Sequence, residues 1–174
     1  MTIWHFNAAV SLDMKLARPD GSVDWLEGYP PDNAEFDAFL DSVDLILMGR
    51  DTYAAVQAYG GPAGWPYPGK ETIVLTSRPL PNAPAEVTAR QDLAAIVADI
   101  EARSLGRVWI EGGGRLLAGL MRLGKLDVAE LAVIPVVLGE GIPAFPEGTP
   151  PTWLRLESAK PWLGDALWLI YRRA

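Results

Sequence analysis

Four short, nearly continuous apolar runs constrain this chain more than any other feature: residues 44–48, 72–76, 107–110 and 130–138. A strand with one face in water alternates polar and apolar residues, whereas runs without alternation suit strands covered on both faces. Between them lie helix-like stretches at 33–41, 51–59, 92–103 and 114–123. In 92–103, Leu93, Ile96, Val97 and Ile100 share a face; in 114–123, Leu116, Leu117, Leu120 and Met121 do. Strands alternating with amphipathic helices predict a layered α/β domain.

The run Thr2 to Val10 is expected to be a central strand. Residues 152–173 read as a closing antiparallel pair, because Trp153, Leu154 and Leu156 are separated from Leu167 to Tyr171 by Pro161 and the turn pair Gly164-Asp165. With 174 residues, and no linker or internal repeat, the whole span 1–174 is expected to form a single domain. Two loops, 17–31 and 60–69, are too rich in glycine and proline for regular helix or central strand.

Composition excludes several functions. No run approaches the roughly 18 apolar residues that span a bilayer, so a soluble protein is expected. Met1 to Ala9 show no secretory pattern, which leaves the cytoplasm as the default. The absence of cysteine removes disulfides, thiolate zinc sites and cysteine nucleophiles. A single histidine, His5, cannot anchor an ordinary zinc site; it is given a structural role, and no metal is expected. A net charge of −7 argues against nucleic-acid or anionic-membrane partners. A bound anion would therefore have to be held locally.

Three segments offer such local binding. Val108 to Leu117 is an apolar run entering Gly112-Gly113-Gly114 and then a helix with Arg115 and Leu116, where backbone can approach an anion and helix N–H groups are free. It is neither a dinucleotide G-x-G-x-x-G nor a phosphate-binding loop of the nucleotide-hydrolase type. Met48-Gly49-Arg50-Asp51-Thr52-Tyr53 and Leu75-Thr76-Ser77-Arg78-Pro79 are two further strand exits with hydroxyls and an arginine. Open α/β sheets bind ligands beyond the carboxyl ends of their strands, so the three exits are expected to converge.

In order and spacing, these segments resemble the dihydrofolate-reductase-like superfamily, together with Ala8 to Asp13 and Ile134 to Pro143. The branch they resemble most is the reductase domain of bacterial riboflavin biosynthesis, from about residue 3 to 146. The resemblance implies a three-layer α/β fold: a mixed, mostly parallel central sheet, flanking helices and a C-terminal antiparallel hairpin. It implies an NADPH-dependent reductase of a small metabolite, similar to 5-amino-6-(5-phosphoribosylamino)uracil reductase, acting as a homodimer. By the family pattern Gly49, Arg50 and Thr52 meet the cofactor phosphates, and Thr76, Ser77 and Arg78 the adenosine side. Gly112, Gly113, Gly114, Arg115 and Leu116 meet the diphosphate, and Ala8, Ala9 and Leu16 line the nicotinamide pocket. A fork-shaped guanidinium suits a 2′-phosphate, which favours NADPH over NADH. The Gly112-Gly113 peptide is where the family often has a cis bond.

The catalytic candidates are Asp13, Asp32 and Glu35. Asp13 either touches substrate or closes an Asx turn; Met14 follows it where the riboflavin branch commonly has glycine, so a different backbone is expected there. Dihydrofolate reductases grip the pterin with a carboxylate near the helix before the second strand. Asp32 and Glu35 lie in that region, without matching its spacing, and they equally suit a helix N-cap and its partner. Glu111 is a further acidic candidate. Trp25 and Trp65, in the two loops, are candidates to border a ligand, while Trp153, Trp162 and Trp168 are expected in the core or a subunit interface. True dihydrofolate reduction and a non-catalytic NADP-binding oligomer are the alternatives.

Overall fold

The computed structural model describes residues 1–30, 33–60 and 64–174. The first apolar run is β1 (Ile3–Ser11), followed by the short β2 (Lys15–Ala17) and a 3-10 turn at Asp24–Leu26. The alternation then appears as α1 (Asn33–Asp41), β3 (Leu45–Gly49), α2 (Arg50–Gly60), β4 (Thr72–Leu75), β5 (Val87–Arg90) and α3 (Leu93–Arg103). It continues through β6 (Arg107–Gly112), α4 (Gly114–Arg122) and β7 (Val128–Ile134). The chain ends with β8 (Ile142–Pro143), β9 (Leu154–Pro161) and β10 (Leu167–Arg173).

Eight strands form one sheet in the order β5-β4-β3-β6-β1-β7-β10-β9, and β2 pairs with β8 in a separate ribbon. Every pair from β5 to β7 is parallel, and β10 and β9 add antiparallel strands at one edge. The sheet is covered on both faces, as the uninterrupted apolar runs require. Phe6, Leu45, Leu47, Val108 and Ile110 point to one side, against Ile96 and Ile100 of α3 and Leu117 and Leu120 of α4. Ile46, Met48, Val74 and Trp109 point to the other, against Phe36 and Phe39 of α1 and Tyr53 and Val56 of α2.

Three features depart from the sequence expectations. The run 130–138 was expected to be one strand, but pairing stops at Ile134, where Pro135 supplies no N–H for a further ladder bond. β5 is polar on alternate positions, which hides an edge strand from a search for apolar runs. Met14 has φ +59°, the left-handed region that favours glycine, so the turn keeps a glycine-like backbone despite the side chain.

Candidate functional site

The exits of β4, β3, β6 and β1 stand side by side, because those strands are neighbours in the sheet. α2 begins at Arg50, immediately after β3, and α4 at Gly114, one residue after β6. Both helices therefore present first-turn N–H groups and the positive end of the helix dipole at the carboxyl edge of the sheet. Gly113 is the N-cap of α4 and supplies no side-chain cap.

Close approach joins the β3 and β6 exits. Added methyl groups at Gly112 and Gly113 would sit 3.5 and 3.6 Å from Thr52 Oγ1, and one at Gly49 would sit 3.9 Å from Gly113 N. Gly112 has φ +141° and the Gly112-Gly113 peptide is cis. Gly114 is needed for packing: a Cβ there would lie 2.2 Å from the Pro143 carbonyl oxygen.

The β4 exit joins the same edge. Arg50 Nη1 donates to the Pro79 carbonyl oxygen at 3.0 Å, and Thr76 Oγ1 accepts from Arg78 N at 3.0 Å. Thr76, Ser77, Arg78 and Pro79 line a cavity of about 430 Å³ with Arg90 and Gln91. Ser77 and Arg78 are exposed, so hydroxyl and guanidinium face solvent. Arg50, Arg78 and the first-turn N–H groups of α2 and α4 thus stand along one edge, with Asp51 and Asp92 near them and Arg90 paired to Asp99, and such an edge offers an anion cationic and N–H partners. Arg115 is exposed on the first turn of α4 and Leu116 is buried beneath it.

A second cavity, a cleft of about 650 Å³, lies over β1, β7 and β10. Its floor is made of two cross-strand rows: Asn7, Glu130 and Ile170, then Ala9, Ala132, Trp168 and Lys160. Glu35, Phe36 and Phe39 of α1 form one wall, the 23–30 segment another, and Trp162 closes the hairpin end. Ala8 and Ala9 of β1 also line the cleft. Leu16 instead packs into the core on the opposite face of the sheet.

The carboxylates differ in what they do. Asp13 accepts from Leu138 N, Gly139 N and Ser11 Oγ, at 3.0, 2.9 and 2.7 Å. These bonds, Leu138 foremost, hold its carboxyl at about 2. Asp13 is accordingly a turn anchor and is not among the residues lining the cleft. Glu35 lines the cleft, with Lys160 Nζ 3.6 Å from its Oε1. Asp32 lies outside the described residues.

Glu111, at the end of β6, accepts a short hydrogen bond from the Tyr67 hydroxyl, while its Oε2 is buried with no hydrogen-bond partner among the described residues. Burial pushes its carboxyl up to about 8, with the Tyr67 bond acting the other way. It therefore keeps its proton at neutral pH. Trp65 packs between Tyr53 and Tyr67 and donates to the Tyr67 carbonyl. Trp162 and Trp168, expected in the core or an interface, line the cleft instead. Trp153 is 86% exposed rather than core. Glu130, on the cleft floor, is not among the sequence candidates; its one signal is a charge within the otherwise apolar β7.

Comparison with known proteins agrees with this architecture. A family model described as the RibD C-terminal domain matches residues 4–166. The uncharacterized protein YwjB of Bacillus subtilis (strain 168) is 38% identical over 169 residues, covering 95% of both chains. A solved structure of a Shewanella sp. PV-4 protein named for riboflavin biosynthesis superposes with a TM-score of 0.85 at 26% identity, covering 98% of each chain. Acinetobacter baumannii RibD superposes with a TM-score of 0.71 at 16% identity; the chain covers 58% of that longer protein and shares its fold.

Proposed function

The chain belongs to the RibD C-terminal domain family, and on that premise we propose that it is an NADPH-dependent reductase of a small metabolite. The observation that carries the reading is the contiguity of three strand-exit turns, through Thr52 against Gly112–Gly113 and Arg50 against Pro79, together with a cleft walled by Phe36, Phe39, Trp162 and Trp168. A nicotinamide cofactor supplies hydride when bound. Gly49, Arg50, Thr52 and the amides of Gly112 to Leu116 hold its diphosphate, and Thr76, Ser77 and Arg78 hold the 2′-phosphate. Ala8 and Ala9 leave room for a flat ring at the mouth of the cleft.

Reducing a C=N or C=O bond also consumes one proton at the heteroatom. Glu111 is proposed as its source, because burial keeps it protonated and it follows Ile110, which pairs with Phe6 of β1, although Glu111 does not itself line the cleft. The proton consumed in each turnover comes ultimately from solvent. A cytoplasmic location goes with this reading, since reduced cofactor is supplied there.

The test is cofactor titration followed by turnover. Saturation to 100 times the dissociation constant stabilises a protein by about 2.7 kcal/mol, so NADPH is expected to raise the melting temperature. Arg78→Ala is expected to weaken NADPH roughly tenfold while leaving NADH unchanged, the loss of one charge-assisted contact. NADPH consumption with a reducible aminouracil or carbonyl compound is expected to fall above about pH 8 as Glu111 ionises. Equal response to NADPH and NADH, or no response to either, overturns the reading.

A further inference from the structure

Resting on the reductase reading, one residue outside the cleft bears on how the cofactor is held. We infer that Asp13 is a positioning residue for the cofactor: through residues 138–144 it fixes where the first turn of α4 stands against the exit of β1. A ladder of contacts laces the turn after β1 to the segment after β7. Leu12 N donates to the Val136 carbonyl oxygen at 2.8 Å, and the Asp13 carboxylate accepts from Leu138 N and Gly139 N at 3.0 and 2.9 Å. Ala144 N donates to the Met14 carbonyl oxygen at 3.0 Å, and Lys15 pairs with Pro143 where β2 meets β8. Of these contacts only the ones at Asp13 are made by a side chain. Ser11 Oγ donates to Asp13 Oδ1 at 2.7 Å while accepting from Lys15 N at 2.9 Å, so the carboxylate is itself aimed. Hydrogen bonds to an ionised acceptor are roughly twice as strong as neutral ones.

The far end of this segment presses on the cofactor edge. Gly114 opens α4, and a Cβ added there would collide with the carbonyl oxygens of Pro143 and Ala144 and touch Pro146 Cδ. Backbone packed this closely transmits a shift instead of absorbing it. From Ile134 to Pro146 the chain is also stiffened by Pro135, Pro143 and Pro146, because proline fixes φ. At the turn into β8, Gly141 has φ +150° and a Cβ there would collide with the Ala17 carbonyl oxygen. Asp13 therefore reaches the diphosphate turn at Gly112–Gly114 without touching a ligand. The β6 exit is the immediate neighbour of the β1 exit, whereas the β4 exit, with Thr76, Ser77 and Arg78, is three strands from it, roughly 14 Å. Loss of the carboxylate then disturbs the diphosphate end of the cofactor and spares the adenosine end. Charge alone predicts the opposite sign, since removing a negative group favours an anion.

The experiment titrates NADPH and adenosine 2′-phosphate, which carries the adenosine end alone, into the native protein and into Asp13→Asn and Asp13→Ala. Asparagine offers one acceptor oxygen to the two backbone N–H groups, and alanine none. NADPH is expected to weaken about tenfold in Asp13→Asn and further in Asp13→Ala, as charged hydrogen bonds are lost. Adenosine 2′-phosphate is expected to stay within about twofold in both, as for independent sites; its binding also reads the folded fraction in the same sample. Amide signals of Ala144, Gly114 and Arg115 are expected to shift in cofactor-free Asp13→Asn, with those of Thr76 to Arg78 unmoved. Unchanged or tighter NADPH in the Asp13 variants, or equal weakening of both ligands, overturns the proposal. If both variants melt below the temperature of titration, Ser11→Ala, which removes the hydroxyl donating to Oδ1, carries the test. About threefold selective weakening of NADPH in Ser11→Ala supports the proposal, and no selective weakening overturns it. A native protein that does not bind NADPH fails the cofactor reading itself, so the two failures are distinguishable.

Discussion

Arg50 Nη1 donates to the carbonyl oxygen of Pro79 across 3.0 Å and thereby ties the first turn of α2 to the loop leaving β4. The guanidinium thus has a fixed position at the junction of two strand exits while retaining other N–H groups for an anion. We expect Arg50→Ala to weaken NADPH binding by about 10- to 100-fold, the range of a charged hydrogen bond. Its melting temperature without cofactor should shift little, because the bond is exposed. Calorimetric titration beside thermal melts checks both halves.

Glu111 makes stability depend on pH. Its folded-state carboxyl is raised by burial to about 8 from an ordinary 4.5. Between those values the folded protein binds more protons than the unfolded chain, so stability falls as pH rises through that window and levels off above it. Glu111→Gln is expected to flatten this slope and to be the more stable form at pH 8, by on the order of 1 kcal/mol or more. Urea unfolding at several pH values between 5 and about 9 measures it.

Much of this arrangement is legible in the sequence, and for physical reasons. Leu45 to Met48 and Val108 to Ile110 are buried on both faces, so they lack polar positions and announce parallel strands. Gly112 to Gly114 show that backbone comes close to something at the start of α4. Glycine does not say to what: Gly114 faces the Pro143 carbonyl, whereas Gly112 and Gly113 face Thr52. The cleft was less legible because its floor is assembled across strands. Asn7, Glu130 and Ile170 are neighbours only through the registers of β1, β7 and β10. Asp13 shows the opposite limit, since an acid at a strand end reads alike as catalyst or turn anchor until Leu138 and Gly139 are placed beside it.

Gly114 has no room for a side chain. A Cβ would meet two backbone oxygens, those of Pro143 at 2.2 Å and Ala144 at 2.8 Å, and neither moves without displacing β8. Gly114→Ala is expected to destabilise the fold by about 1–3 kcal/mol, the range for overpacking. Chemical denaturation gives the value, and an unchanged midpoint would show that β8 is free to shift.

β9 is a sheet edge, and its flank leaves Trp153 86% and Leu156 55% exposed. Exposed apolar side chains on an open edge invite a second strand, and a second copy of this chain is the expected cover. Light scattering should then give a dimer mass for the native chain and a monomer mass for Trp153→Glu. A monomer at every concentration would rule out this surface.

The most direct test is an amide-resolved NMR titration with NADPH. Amide signals of Gly49, Arg50, Ser77, Arg78 and Gly112 to Leu116 should move together with one dissociation constant, while those of α3 and β9 stay still. If these three turns stay silent, or respond with separate affinities, they do not form one cofactor site and the reductase reading fails.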